Sequence, residues 1–136
     1  LDALKQAAIS GVDVRILMPY KSDSVVVGAA SKFYYPELVK AGIKVYLYKK
    51  GFVHAKTVVA DSSLSVIGTA NMDVRSFDLN FEIMSIIYGR EFGEKLEKAF
   101  IDDLKECMEV TQDVVNNARL SSRLFYAAAR LVSAFL

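Results

Sequence analysis

The sequence predicts an α/β fold in which a mixed β-sheet is flanked by helices, as in an α/β/α sandwich. Three observations indicate this class: helical and strand-like segments alternate through residues 1–49, several short strands follow, and helical segments occupy the last third. The chain has 136 residues, of which 53% are hydrophobic and 24% are charged. This balance is typical of a globular protein. We therefore expect residues 1–136 to form a single domain.

The first half of the chain predicts the order helix, strand, helix, strand. Residues 1–10 carry apolar side chains at helical spacing and are followed by a glycine. Residues 12–19 and 43–49 alternate between apolar and polar side chains, which is typical of strands. Residues 24–41 form a predicted helix that begins at a serine cap, and we expect Pro36 to bend or restart it.

The second half predicts a group of strands followed by helices. The residue types of Asp61-Ser62-Ser63 favour a tight turn between the first two strands. The segment 71–79 lacks a clean period and is interpreted as a loop or a short helical turn. The predicted strands are 54–60, 64–68 and 80–88, and the predicted helices are 90–110 and 118–135, with a polar segment at 111–117 between them.

Charge and cysteine content limit the possible partners. The formal net charge of +1 gives no electrostatic argument for a polyanionic partner, so no nucleic acid is expected. The one cysteine, Cys107, excludes an internal disulfide. No apolar run reaches membrane-spanning length. Because the sequence opens inside a predicted helix, we expect it to be part of a longer protein.

The chain contains one histidine, which lies beside a lysine. His54 and Lys56 are two residues apart, so their side chains share a face if this segment is a strand. Imidazole can attack phosphorus or transfer a proton near neutral pH, and an ammonium group neutralises phosphoryl oxygens in the transition state. The pair therefore favours phosphate chemistry. Alone it is a weak signal, and a surface histidine on a half-exposed strand is the alternative.

The residues after this pair extend the pattern. Asp61 lies five residues after Lys56, and Gly68-Thr69-x-Asn71 begins seven residues after the aspartate. The pattern HxKx4Dx6GTxN resembles the signature of the phospholipase D superfamily. The stretches AGIKVYLYKKGFVHAK and NMDVRSFDLNFE resemble its cardiolipin synthase branch in particular. The resemblance covers the chain from residue 1 to approximately residue 110.

This resemblance implies roles for four polar residues and implies no metal or other cofactor. His54 would be the catalytic histidine, either the nucleophile that forms a phosphohistidine or the general acid to the leaving alcohol. The second-half position of the motif favours the general acid. Lys56 and Asn71 would bind the phosphate. Glu82, on the adjacent predicted strand, would accept a hydrogen bond from the imidazole and fix its tautomer.

Five further residues would support the site. The resemblance implies a structural ion pair or hydrogen bond for Asp61. Gly68 would let the backbone approach a phosphate, and Thr69, where many relatives have serine, keeps a hydroxyl for the same contact. Arg75 and Ser76 are either ordinary loop residues or help to shape the acceptor site at its entrance.

The resemblance also implies an incomplete site. Members of the superfamily build one site from two such motifs, and this chain has a single histidine. His54 would need a second histidine from a missing N-terminal half with the first motif, or from a second copy in a homodimer. Since a general acid typically contributes ~10²–10⁴-fold, we expect the isolated chain to be nearly inactive unless it dimerises.

The leading prediction is the C-terminal half-domain of a cardiolipin synthase, a phosphatidyltransferase. A phosphatidyl group would move from one phosphatidylglycerol through a phosphohistidine to a second phosphatidylglycerol, releasing glycerol. The full-length protein would lie at the cytoplasmic membrane of a bacterium, whereas this fragment would be soluble. The alternatives are a homodimeric phosphodiesterase or nuclease of the same superfamily, and an inactive fragment with a role in membrane association only.

Two basic regions have two interpretations each. The segment 119–136 carries three arginines among mostly apolar residues and no acidic residue. It would lie at an anionic membrane surface or pack on the missing half of the enzyme, and we favour packing because apolar residues nearly encircle the helix. Lys49 and Lys50 are either solvated loop residues or would steer anionic headgroups toward the site.

Overall fold

A computed structural model describes residues 1–133, which divide into two compact units. The first unit comprises Leu1–Phe52 and the chain from Glu106 onward, and the second comprises Val53–Lys105. In chain order the elements are α1 (Asp2–Ile9), β1 (Arg15–Pro19), α2 (Val25–Lys40), β2 (Lys44–Tyr48), β3 (Thr57–Ala60), β4 (Leu64–Gly68), α3 (Val74–Asp78), β5 (Met84–Tyr88), α4 (Arg90–Leu104), β6 (Cys107–Glu109), α5 (Gln112–Asn116) and α6 (Leu120–Ser133). The predicted α/β class is confirmed, with the described strands in two three-stranded sheets flanked by helices.

The sheet of the first unit has the strand order β1-β2-β6. β1 and β2 are parallel and are connected by α2, whereas β6 is antiparallel to β2. The predicted alternation in 43–49 is confirmed, because its apolar residues are buried and its polar residues lie on the other face. The core of the unit consists of Tyr35, Leu38, Ile43, Val45, Leu47, Val110 and Val115.

The α2 helix begins at the predicted cap. The Ser24 hydroxyl accepts a hydrogen bond from Val27 N at 3.4 Å, which satisfies one of the free N–H groups of the first turn. The helix continues through Pro36 to its end at Lys40, so the expected restart does not occur. Because the neighbouring Leu38 is buried in the core, tertiary packing holds the helical backbone where the proline removes a donor.

The second unit is an antiparallel meander, β3-β4-β5, with α4 packed against it. Asp61 and Ser62 have φ of 49° and 51°, and Ser63 N donates to Ala60 O at 3.1 Å. The predicted tight turn is therefore confirmed, and aspartate is one of the residues that adopt positive φ most readily. At Gly93 of α4 an added Cβ would lie 2.3 Å from Ser62 O, so glycine permits the helix to approach this turn.

Several predicted boundaries were wrong. β3 begins at Thr57 rather than at residue 54, and β5 begins at Met84 rather than at residue 80. The helix predicted over 90–110 ends at Leu104. Its four-residue apolar spacing continues into the segment that forms β6, which pairs with β2 across a long sequence separation. A local period cannot show such a pairing.

The C-terminal part differs from the prediction in a similar way. The polar segment 111–117 contains α5, which begins at a Thr111 cap whose hydroxyl accepts from Val114 N at 3.4 Å. The terminal helix begins at Leu120, and residues 134–136 of the predicted helix lie outside the described residues. Among the described helices, none has the length and apolar character needed to cross a bilayer.

Candidate functional site

The nine residues that the sequence singles out all lie in the second unit. They come from the segment before β3, the β3–β4 hairpin, the segment after β4, α3 and the segment before β5. They are His54, Lys56, Asp61, Gly68, Thr69, Asn71, Arg75, Ser76 and Glu82.

The antiparallel order of the sheet brings three of these segments to one end. Gly68 N donates to Lys56 O at 3.1 Å, so the start of β3 lies beside the end of β4. Gly68 also pairs with Met84, so the start of β5 lies there too. The residues carried to this end, which we call the site end of the sheet, are His54, Lys56, Thr69, Asn71 and Glu82.

Asp61 lies at the opposite end of the hairpin. It follows the last residue of β3, whereas His54 precedes the first. In the structure Asp61 is a turn residue with a positive φ, and it does not lie at the site end. The structure therefore does not bring Asp61 together with His54 and Lys56, and the ion pair or hydrogen bond expected for it stays a prediction.

His54 and Lys56 lie in the segment just before β3, not inside the strand as predicted. The His54 side chain is exposed and that of Lys56 is half-buried. The Lys56 ammonium donates to the backbone carbonyl of His54 at 2.9 Å. Because the Lys56 carbonyl is also held by Gly68 N, both the main chain and the side chain of this lysine are fixed at the site end.

Glu82 is a half-buried carboxylate in the segment before β5, so its predicted place on a strand was wrong. It accepts hydrogen bonds from the Thr69 hydroxyl and from Asn80 Nδ2, the latter at 3.4 Å. The pKa of Glu82 is lowered, chiefly by the bond from Thr69, with smaller contributions from Ser76, Asn80 and the charge of Lys56, while burial opposes them. Glu82 is therefore ionised at neutral pH.

Thr69 connects the segment after β4 to the segment before β5. Its hydroxyl donates to Glu82 and accepts from Ile83 N at 3.0 Å, and its own N–H donates to Ile83 O at 3.0 Å. The sequence pointed to this hydroxyl as a phosphate contact. Thr69 and Asn80 were not predicted to hold Glu82. The signal in the sequence was the two-residue spacing of Asn80 and Glu82.

Gly68 has a packing reason to be glycine. A Cβ at this position would lie 2.2 Å from Ile83 O and 2.9 Å from Met84 Cα. Those atoms belong to the neighbouring backbone and cannot move aside cheaply. The observed close approach is therefore between two strands, and an approach to phosphate stays a prediction.

The segment 71–79 contains the short helix α3, as one of its two interpretations predicted. Asp73 caps it, because Asp73 Oδ1 accepts from Ser76 N at 2.8 Å. Ser76 is buried and contributes to the lowered pKa of Glu82, and a role in shaping the entrance stays a prediction. Arg75 is exposed, and its carbonyl accepts from Leu79 N and Asn80 N, which closes the helix.

An imidazole, an ammonium group, a primary amide and a carboxylate at one end of a sheet suit phosphoryl transfer. The ammonium and amide donate to phosphoryl oxygens, and the imidazole attacks phosphorus or transfers a proton. In an in-line displacement the attacking and leaving atoms lie on opposite sides of phosphorus, so one histidine fills only one of these roles. Within residues 1–133, no group of three or more His, Cys, Asp or Glu residues is placed to hold a metal ion.

Lys49 and Lys50, which precede His54 in the sequence, contact residues of the first unit. Lys50 Nζ lies 3.2 Å from Glu106 Oε1, and Lys49 Nζ lies 5.9 Å from the centre of the Tyr20 ring. Both side chains are exposed. These contacts are typical of a solvated loop, and a role in steering anionic headgroups stays a prediction.

Comparison with known proteins gives a consistent set of similarities. Residues 1–104 match the family described as "Cardiolipin synthase, PLD-like domain". The chain is 49% identical over 136 residues to cardiolipin synthase 2 of Bacillus anthracis, covering 100% of this chain and 26% of that protein. It is 47% identical over 133 residues to a cardiolipin synthase of Clostridium perfringens, covering 98% and 28%. The chain thus spans about a quarter of the length of these curated relatives.

The fold also resembles a solved structure. The crystal structure of Nuc from Salmonella typhimurium, a phospholipase D family member, has a TM-score of 0.71 to this chain. The match covers 82% of this chain and 72% of that chain at 19% sequence identity. At that identity the likeness concerns the fold.

Proposed function

We propose that this chain, which belongs to the family of cardiolipin synthase phospholipase D-like domains, supplies one half of a phosphatidyl-transfer site. The observation that supports the proposal is that the segments carrying His54, Lys56, Asn71 and Glu82 meet at the site end of the β3-β4-β5 sheet. The names of the relatives at 47–49% identity support a phospholipid as the substrate.

Lys56 and Asn71 bind the phosphodiester in this proposal. Lys56 is half-buried and its ammonium lies near the backbone of His54, so its positive charge is already placed beside the histidine. Such preorganised donors act where charge develops and need little rearrangement during the reaction. Asn71 is exposed two residues after Thr69 and offers amide N–H groups to the same oxygens.

Glu82 orients His54 in this proposal. Its lowered pKa keeps it a charged acceptor, and Thr69 and Asn80 fix its position. A fixed carboxylate that accepts the far imidazole N–H selects one tautomer and stabilises the imidazolium. Thr69 and Asn80 thereby act as positioning residues.

The reaction has two steps with His54 as the general acid. In the first, a second histidine attacks the phosphorus of one phosphatidylglycerol. A P–N bond forms, the P–O bond to glycerol breaks, and the imidazolium of His54 protonates the leaving oxygen. In the second, neutral His54 takes a proton from a hydroxyl of another phosphatidylglycerol as that oxygen attacks phosphorus. The P–N bond breaks, and the products are cardiolipin and glycerol.

The second histidine comes from outside this chain, either from an N-terminal half with the first motif or from a second copy. The length of the curated relatives, of which this chain spans about a quarter, favours the first source. A strictly monomeric mass for this chain at micromolar concentration would reject the second. The site would then act at a bacterial membrane surface, where its lipid substrates are held.

The test is made in the full-length protein with phosphatidylglycerol vesicles. We expect His54→Ala to reduce cardiolipin formation by at least ~10²–10⁴-fold, as for the loss of a general acid. Lys98→Ala, an exposed lysine on α4, serves as the matched surface control. Cardiolipin formation that persists in His54→Ala refutes the assignment. Cleavage of DNA without a lipid product refutes the lipid substrate and favours a phosphodiesterase of the same superfamily.

A further inference from the structure

The two parallel strands of the first unit end at the same edge of their sheet. β1 and β2 pair in register from Arg15 beside Lys44 to Pro19 beside Tyr48, so their carboxyl ends coincide. Tyr20 N donates to Tyr48 O at 2.9 Å, which holds the first residue after β1 against the last residue of β2. In open α/β sheets, ligands bind in the crevice outside the carboxyl ends of the strands.

A cavity of about 290 Å³ opens at this edge. We call it the strand-end cavity, and its lining consists of Tyr20, Lys21, Tyr48, Lys49, Gly51 and Phe52. All six residues belong to the first unit. The volume lies at the lower end of the range for ligand pockets, so it suits a small polar molecule or a headgroup rather than an acyl chain.

The charge of the lining is positive. Lys21 and Lys49 contribute ammonium groups, and none of the six lining residues is acidic. Among the residues that the structure describes, neither of these two ammonium groups forms an ion pair. Lys49 Nζ lies 5.9 Å from the centre of the Tyr20 ring, a contact that orients the ammonium without neutralising it.

The acidic residues closest along the chain to these lysines have other partners. Asp23 Oδ1 accepts from Ser24 N at 2.9 Å and from the Ser22 hydroxyl at 3.3 Å, in the turn before α2. Glu106 pairs with Lys50 at 3.2 Å. The positive charge of the strand-end cavity is therefore available to an anionic ligand.

The other lining residues suit the uncharged part of such a ligand. The phenol hydroxyls of Tyr20 and Tyr48 can donate to oxygen atoms, and the rings of these residues and of Phe52 can contact carbon. Gly51 leaves space beside Tyr48, because a Cβ at this position would lie 4.0 Å from Tyr48 Cε1. A larger side chain there would compete with a ligand for the cavity.

We infer that the strand-end cavity binds the phosphate ester of a small polyol, such as a glycerophosphate group. The ammonium groups of Lys21 and Lys49 bind the phosphoryl oxygens, as lysine does in other phosphate sites. The aromatic residues hold the glycerol. The same chemistry occurs in free glycerol 3-phosphate and in the headgroup of phosphatidylglycerol. The inference concerns the first unit and does not depend on the chemistry of His54.

The test is an NMR titration of the backbone amides of the 136-residue chain with glycerol 3-phosphate. We expect saturable shifts centred on Lys21, Lys49 and Gly51, with affinity that decreases as salt is added. Acetate is the anion control and should cause no saturable shift at these amides. The double variant Lys21→Gln/Lys49→Gln should bind more weakly by on the order of tenfold for each lysine, since each loses a hydrogen bond to a charged group.

Two further variants separate a built cavity from diffuse surface charge. Lys32→Gln/Lys40→Gln also removes two exposed lysines, from α2, and Lys32 likewise lies 5.9 Å from a tyrosine ring centre, that of Tyr126. This charge-matched control should bind like the original chain. Gly51→Leu keeps every charge but occupies the cavity, so it should weaken binding. Circular dichroism confirms that each variant is folded.

A soluble lipid identifies the source of the phosphate ester. Dihexanoyl phosphatidylglycerol is added as monomers, below the concentration at which it forms micelles. Competition with glycerol 3-phosphate for the cavity assigns the cavity to a lipid headgroup, whereas saturable binding of glycerol 3-phosphate without competition assigns it to the free ester. Either result supports the inference.

Four results would overturn the inference. They are the absence of saturable shifts with glycerol 3-phosphate, equal binding by Lys21→Gln/Lys49→Gln, equal losses in the two double variants, and unchanged binding by Gly51→Leu. Lys56→Ala separates the cavity from the proposed site, because Lys56 is proposed to bind phosphate there. Unchanged titration of Lys56→Ala supports the inference, and loss of the saturable shifts in this variant rejects it.

Discussion

Thr69 and Glu82 are joined by a hydrogen bond in which the threonine hydroxyl donates to the carboxylate. The same hydroxyl accepts from Ile83 N, so one side chain fixes both the backbone and the charge that lie just before β5. Thr69 thus has a defined partner in this fold. The added methyl group leaves both hydrogen bonds intact.

Replacing Thr69 by valine should raise the pKa of Glu82 toward its ordinary value. Valine keeps the shape but removes the donor that contributes most to the lowered pKa. A carboxyl whose pKa is lower in the folded state contributes stability above its unfolded pKa, and loses it as the pH falls through the folded pKa. The free energy of unfolding of Thr69→Val should therefore decrease less than that of the original chain as the pH is lowered below 4.5, the ordinary pKa of glutamate.

The measurement is an NMR titration of the Glu82 carboxyl carbon, together with urea unfolding at a series of acidic pH values. Thr69→Ser is the control because it keeps the hydroxyl, and its titration should match that of the original chain. An unchanged Glu82 titration in Thr69→Val would show that the hydrogen bond does not set this pKa.

Replacing Gly68 by alanine should destabilise the second unit. The added Cβ would lie 2.2 Å from Ile83 O, and overpacking of this kind typically costs about 1–3 kcal/mol. Gly51→Ala is the control, since its Cβ would lie 4.0 Å from the nearest atom, Tyr48 Cε1. Urea unfolding followed by circular dichroism compares the two, and equal free energies of unfolding would contradict the close approach of the strands.

Local patterns in the sequence predicted the elements whose cause is local. The alternation in 43–49 predicted β2, and the turn residues Asp61-Ser62-Ser63 predicted the hairpin. The predicted hairpin also places the start of β3 beside the end of β4, because an antiparallel hairpin returns the chain to its starting end. Period and spacing suffice in such cases.

Features that depend on the register between distant segments could not be predicted in this way. β6 forms because residues 107–109 pair with β2, although their local pattern continues a helix. The contact of Thr69 with Glu82 depends on how β4 pairs with β5. The packing of α6 on α2, in which Ala129 is buried with Ala29 and Ala30, likewise joins segments far apart in the sequence.

Tyr35 should make the stability of the first unit sensitive to alkaline pH. Burial raises the pKa of Tyr35 to about 12, with a smaller contribution from Tyr126. Because the folded pKa lies above the ordinary value of 10.0, the contribution to stability is complete below pH 10 and is lost as the pH rises toward 12. A shift of that size corresponds to about 2–3 kcal/mol.

We expect Tyr35→Phe to remove this part of the decrease in the free energy of unfolding at alkaline pH. Tyr88→Phe, at an exposed tyrosine, should leave the decrease in place. Unfolding in urea at pH 9, 10 and 11, with tyrosinate absorbance recorded in parallel, provides the comparison. If the free energy of unfolding of Tyr35→Phe decreased with alkaline pH as much as that of the original chain, another group would be the cause.

Replacing Lys56 should separate phosphate binding from the folding of the site end. Lys56→Ala removes the ammonium that lies 2.9 Å from the His54 carbonyl, and loss of one such electrostatic donor typically lowers kcat by ~10²–10³-fold. Lys56→Arg keeps the charge but not the compact geometry, so it should recover only part of the activity. Lys98→Ala is the control on α4.

A second readout of the same variant does not depend on activity. The charge of Lys56 contributes to the lowered pKa of Glu82, so Lys56→Ala should raise that pKa by less than Thr69→Val does, since Lys56 has the smaller effect. Full cardiolipin formation by Lys56→Ala would exclude Lys56 from the reaction. A shift of the Glu82 titration with activity intact would then assign the lysine to the electrostatics of the folded site alone.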